Sequence, residues 1–227
     1  MTRTLPITLV ILVAACSSTN FDELDHDSIG YIGDYSKFEE VQTTDGLKSF
    51  RYASDRIKSG AYTKILVEPV AFYPEEVASP QVPRTLLREI KAYIDTKLVE
   101  AVATYFEVVR EPQMGGLTIT PRITAIKTTT GDVRIREMVP IGSIVAVSRA
   151  AAGYRHQNVE IFMEIKATDS LDGEFVGGSV KQGKGAQVSS ANEKVTLDSV
   201  RPLLDTWIQD AHEAFGKLKD FQKPKAE

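Results

Sequence analysis

Apolar residues recur at helical spacing in two stretches of the chain and alternate with polar ones in several others. From Arg84 to Phe106, the residues Leu86, Ile90, Ile94, Leu98, Val102 and Phe106 recur every four positions, and Leu87 and Tyr93 widen the stripe. Pro83 stands just ahead, and Arg84, Glu89, Lys91 and Asp95 fall on the other side, so the spacing predicts an amphipathic helix. A second helix is predicted from Ser199, read as its N-cap, with Pro202 in the first turn. Val200, Leu203, Leu204, Trp207, Ile208, Ala211, Phe215 and Leu218 make its apolar stripe.

The strand-like segments lie between and before these helices. Tyr62 to Val70, closed by Pro69, reads as a strand buried on both faces, and Phe106 to Val109 as a short strand before a turn at Pro112–Gly116. Leu117, Ile119, Ile123 and Ala125 then alternate with Thr118, Thr120, Arg122 and Thr124, which predicts one face inward and one in water. Pro121 inside that run points to an edge position or a bulge. Val159–Thr168 and Glu174–Val180 flank Leu171-Asp172-Gly173 and read as a hairpin. The order predicts an α+β domain: a mixed, largely antiparallel sheet with two main amphipathic helices packed on one face.

One apolar run fits neither period. Leu5 to Val13 follows Arg3 and precedes Ala14-Ala15, the layout of a secretory signal over residues 1–15. A spanning helix needs about 20 apolar residues, and this run is roughly half that. Val13-Ala14-Ala15-Cys16 also resembles a bacterial lipobox. The resemblance implies that Val13, Ala14 and Ala15 admit lipoprotein signal peptidase, and that Cys16 carries a thioether-linked diacylglycerol and an N-acyl chain. Three acyl chains at about 0.8 kcal/mol per buried methylene make such an anchor effectively permanent. Cys16 is the only cysteine, and an exported protein must leave a single thiol free, pair it with another chain or consume it. A plain secretory signal with a cysteine nearby is the alternative. Ser17 resembles the default for sorting to the outer membrane, where aspartate would mark inner-membrane retention in enteric-type bacteria. The expected location is therefore the cell envelope, on the inner leaflet of the outer membrane and facing the periplasm.

Charge narrows the partners. Cleavage before Cys16 removes Arg3 from the 27 basic residues and none of the 31 acidic ones, taking the net charge from −4 to −5. That balance argues against nucleic acid and against an electrostatic grip on anionic lipid, leaving membrane attachment to the lipid anchor. Residues 16–29 read as the lipidated cysteine and an acidic tether, residues 30–222 as one domain, and residues 223–227 as a frayed tail. Within the tether, Asp25, Asp27 and Gly30 have EF-hand spacing, but Ile29 and Ser36 stand where further oxygen ligands belong, so no metal site is expected.

In "GYIGDYSKFEEV", Gly30 to Val41, Ser36 and Glu39 have capping-box form and predict a helical turn. Tyr31, Tyr35 and Phe38 would share one side of it and dock the end of the tether on the domain, with ligand stacking as the alternative. These motifs, with "YTKILVEPVAFYP", "LTITPRITAIK", "VPIGSIVAVSRAAAG" and "VEIFMEIKATDSLDGEFVGG", resemble the domain-of-unknown-function 3313 lipoproteins. That resemblance implies a lipoprotein fold and supplies no catalytic residues. The element order is also similar to the α/β domains of penicillin-binding-protein activators, the curli secretion lipoprotein and the N-terminal domain of the Tol translocation protein, an analogy of fold alone.

Motifs for chemistry fall short. Gly178 to Gly185 nearly matches a phosphate-cradling loop, but Gly185 replaces the hydroxyl residue and no helix follows, so a polar loop is expected. Gly177 to Lys181 misses the GxSxG elbow because Lys181 stands in place of the last glycine. His26, His156 and His212 lack ligand spacing. No catalytic residue and no cofactor beyond the covalent lipid on Cys16 is therefore expected. Val139 to Gly153 is apolar and small-residue-rich, and reads as core packing, a surface for self-association or partner docking, or a membrane-inserting hairpin. "GYRH", Gly153 to His156, reads as an exposed loop. The sequence thus suggests a non-enzymatic structural, binding or assembly accessory of the envelope. The alternatives are a subunit of an oligomeric secretion or trafficking assembly resembling the curli secretion lipoprotein and, third, a tethered hydrolase using Ser179 or His156 beside a carboxylate.

Overall fold

The two helical stripes meet one face of a single sheet. The computed structural model describes residues 26–43, 48–76, 78–130, 157–188 and 193–223. After a 3-10 turn at His26–Ser28, the elements are β1 (Glu39–Gln42), β2 (Lys48–Ala53), α1 (Asp55–Lys58), β3 (Lys64–Val67), β4 (Ala71–Phe72) and α2 (Arg84–Ala103). There follow β5 (Glu107–Val109), β6 (Gly116–Thr130), β7 (Gln157–Asp169), β8 (Phe175–Val188) and α3 (Leu197–Asp220). The strands run in the order β1-β2-β8-β7-β6-β3-β5, with β4 beside β6. Pairs from β1 to β6 are antiparallel, whereas β3 is parallel to both β5 and β6. This is the mixed α+β architecture that the residue pattern predicts.

Burial explains the helices. Leu86, Leu87, Ile90, Ile94, Leu98 and Val102 of α2 join Val200, Leu203, Leu204, Trp207, Ala211 and Phe215 of α3 over Ile65, Leu117, Ile119, Ile123, Ile161 and Met163. Each fully buried aliphatic side chain contributes roughly 1.5–3 kcal/mol of transfer free energy. Thr196, not Ser199, caps α3. Its hydroxyl accepts from Ser199 N while Ser199 Oγ accepts from Thr196 N, a reciprocal pair that moves the start three residues upstream. Pro202 consequently sits in the second turn, where its missing N–H leaves the Asp198 carbonyl without its helical donor.

The strands differ from expectation at four places. Gly178–Gly185 is not a loop but the middle of β8. A Cβ on Gly183 would lie 2.2 Å from Leu203 Cδ1, so the glycine admits α3 to the sheet. β3 is shorter than predicted and buries Ile65 completely, with Leu66 and Val67 half-buried. Pro121 lies in a central strand, β6, between two partners. Ile119 O accepts from Glu68 N and Ile123 O from Tyr73 N, and Pro121 faces the same way across the gap between β3 and β4, where no ladder bond is lost. The bulge comes at Thr124, where the β6–β7 register shifts. It turns Ala125 to the outer face beside Phe162 and brings Ile126 into the main core, correcting the inward reading of Ala125.

Gly60 follows α1 with φ +76°, and a Cβ there would stand 2.5 Å from the Phe221 carbonyl oxygen. The chain beyond α3 packs at this point, with Gln222 Nε2 donating to Tyr62 O. Gly60→Ala combines left-handed strain with a backbone clash. It should lower unfolding free energy by more than about 1 kcal/mol in urea titration; an unchanged midpoint would show that the C-terminal contact does not matter.

Candidate functional site

The face of the sheet opposite the helices is covered by residues 28–38 of the chain itself. Ile29, Ile32, Tyr35 and Phe38 pack against Phe50, Tyr52, Phe175 and Val180. Ser28 is already buried, so the docked segment begins inside the stretch expected to be free tether. Gly178 leaves room for it, since a Cβ there would meet the Phe38 ring at 3.0 Å and Ile32 Cδ1 at 3.3 Å. Thr118, Thr120 and Thr124, expected in water, are buried.

Glu164 of β7 is the polar centre of this contact. Its Oε1 accepts from Gly30 N at 2.8 Å and Tyr31 N at 3.2 Å; its Oε2 accepts from Ile32 N at 2.9 Å and the Tyr35 hydroxyl at 2.7 Å. The side chain is 0 % exposed. A buried carboxylate is costly without compensation, and bonds from three successive amides and a phenol supply it. Burial first, then the bond to Glu164, raises the Tyr35 pKa well above the ordinary phenol value, so Tyr35 stays a donor at neutral pH. The Tyr31 ring lies 4.3 Å from Lys166 Nζ and 5.3 Å from Arg122 Cζ, and Tyr73 is tilted beside it at 5.2 Å. The Ser36–Glu39 capping box does not form. Phe38 N donates to Tyr35 O in a tight turn, Asp34 Oδ1 accepts from Ser36 N, and Glu39 begins β1.

A second charged group lies beneath α3. Asp210, buried in the helix stripe, pairs with Lys181 of β8 and Arg51 of β2, and Lys181 Nζ also donates to Trp207 O at 3.4 Å. Burial works to raise the Asp210 pKa, but the Lys181 ammonium and Arg51 outweigh it and hold the carboxyl below the usual range. The neighbouring hydroxyls Ser49 Oγ and Ser179 Oγ are buried without a hydrogen-bond partner among the described residues. Ser179 thus sits inside β8, paired with Arg51 and Ile165, with no base bonded to it.

Of the residues singled out from sequence, Tyr31, Tyr35 and Phe38 come together on the outer face. Val13, Ala14, Ala15 and Cys16 lie outside the described residues, as do Val139–Gly153, Gly153–His156 and residues 224–227. His212 meets the Tyr105 ring edge-on at 6.1 Å. Among the described residues no group of three or more His, Cys, Asp or Glu could hold a metal ion, and no helix is long and apolar enough to cross a membrane. Sequence reasoning missed Glu164, Lys181 and Asp210. Asp210 was findable, because it follows Trp207 by three positions within an apolar stripe. Glu164 was not, because it occupies the polar phase of an alternating strand.

A family model described as a protein of unknown function, DUF3313, matches residues 28–211, the docked segment through most of α3. The chain belongs to the DUF3313 family. Its relatives include the uncharacterized lipoprotein YdcL of Escherichia coli strain K12, 24% identical over 182 residues, covering 80% of this chain and 82% of that protein. The same protein of Escherichia coli O157:H7 matches equally. Among solved structures, the PelC dodecamer of Paraburkholderia phytofirmans is 8% identical, with a TM-score of 0.34, covering 78% of this chain and 98% of that one. A minor lipoprotein of Acinetobacter baumannii is 9% identical, with a TM-score of 0.33, covering 73% and 98%. At that likeness neither structure bears on the role of this DUF3313 chain.

Removing Asp210 would strand Lys181 in the interface. Asp210→Ala should cost about 3–5 kcal/mol, the penalty for breaking a buried pair from one side. A carboxyl with a depressed folded pKa stabilises above its unfolded pKa, about 3.9, and loses that contribution as pH falls through the folded value. The gap between wild type and Asp210→Asn in denaturant titrations should therefore narrow only below about pH 4. A gap constant down to pH 2 would refute the ion-pair account.

Proposed function

We propose that the chain is a lipid-anchored envelope lipoprotein whose folded domain serves as a non-enzymatic structural, binding or assembly accessory, with no cofactor other than the covalent lipid. Cys16 carries the anchor, Val13-Ala14-Ala15 present the cleavage site, and residues 1–15 are the secretory signal. The observation that carries this reading is the sequence Val13-Ala14-Ala15-Cys16 at the end of the apolar run, with no second cysteine in the chain. The lipoprotein name of the curated relatives supports it. Ser17 supports placement on the inner leaflet of the outer membrane, with the domain facing the periplasm. The docked segment adds a physical reason for one chain to combine these parts. Nine residues separate Cys16 from His26, and the ten chain steps between them reach at most about 35 Å, so the domain works within a short distance of the bilayer.

Metabolic labelling with a radioactive fatty acid tests the anchor. The wild-type protein should take up label and remain in the membrane fraction. Cys16→Ala should lose both, and label that survives the substitution would refute the assignment.

A further inference from the structure

The four donors that Glu164 accepts come from residues 30–35, directly after buried Ser28 and packed Ile29 where the docked segment begins. We propose that Glu164 is a latch for the membrane tether: it holds residues 28–42 as a separable strap, and opening it lengthens the domain's reach without unfolding the domain.

Two observations and one consequence of opening support separability. Residues 28–38 of the strap lie on the outer face, and among the described residues no strap residue belongs to the helix-side core: Phe38, Phe50 and Val180 form their own cluster. Its strand, β1, is the terminal strand of the sheet and, among the described residues, pairs only with β2. Glu164 reaches water when the strap leaves, so the open state strands no buried charge. A pull along the tether meets buried Ser28 and packed Ile29 first, then Gly30, Tyr31, Ile32 and Tyr35, and only afterwards Phe38 and β1. The bonds are therefore loaded one after another, as in peeling, and not all at once. Freeing the chain from Gly30 to Lys48 adds at most about 60 Å of contour. Only this added reach depends on the lipid-anchor reading; the latch itself does not.

Hydrogen exchange on the mature protein tests the latch. Glu164→Gln keeps the shape but turns an amide group toward amide donors. Exchange across residues 28–42 should accelerate by about tenfold or more, while β7 and β8 keep their protection. Unchanged strap protection, or loss spread through β7 and β8, would overturn the proposal. Should Glu164→Gln not fold, Tyr35→Phe, which deletes one of the four bonds, is read by the same two outcomes. Running the exchange on a Cys16→Ala background separates the readings, because the contrast should persist there even if acylation is absent. For the reach, a donor dye on Met114→Cys, 83% exposed in the native residue, is placed on lipidated protein in phosphatidylethanolamine–phosphatidylglycerol vesicles with acceptor lipid. Energy transfer should fall in Glu164→Gln, and equal transfer would overturn the added reach.

Discussion

A sheet with both long helices on one side has a second side to cover, and here a single carboxylate organises that cover. Glu164 receives three consecutive backbone amides and one phenol, and so fixes the direction in which the chain enters the domain. The apolar contacts of Ile32, Tyr35 and Phe38 follow from that direction, and β1 then adds to the sheet through β2. The carboxylate and the strap need each other: without the amides a buried charge is expensive, and without the charge the amides at Gly30–Ile32 have no partner in the sheet.

The helix side solves the same problem with opposite polarity. Asp210 comes down from α3 onto two cations, Lys181 and Arg51, which stand on adjacent strands. Glycines make the approach feasible, as Gly183 lets Leu203 close on β8. Both faces thus combine an apolar layer with a buried acidic group whose partners come from a distant part of the sequence. Such pairs add little net stability compared with apolar packing, but they penalise wrong registers strongly.

The long elements were legible because their periods are long. α2 and α3 carry apolar stripes over five or more turns, and β7–β8 are joined by an Asp-Gly turn in which Asp169 Oδ1 accepts from Leu171 N and Asp172 N. Short elements were less so: β3 and β5 were legible within Tyr62–Val70 and Phe106–Val109, but β1 and β2 were not. β1 and β2 are four and six residues long, and a capping-box pattern at Ser36 and Glu39 competed with the strand that actually forms. Local spacing favoured a helical turn, but pairing with β2 and burial of Phe38 favoured the strand, and tertiary contact outweighed propensity. In β8 the glycines read as a loop because glycine weakens an isolated strand; the close approach of α3 requires Gly183 and Gly185, and the docked segment requires Gly178.

Sequence alone determined the α+β class, the two helices with their buried faces, the central hairpin, and the lone cysteine behind an apolar run. Those properties are local: a period of four, a period of two or a short run is complete within the segment that bears it. Only the tertiary structure decided that Glu164 and Asp210 are buried, that Pro121 faces a gap between strands, and that Thr124 reverses the phase of β6. A polar residue in an alternating strand looks the same whether water or another part of the chain covers it, and what covers Glu164 lies more than 120 residues away.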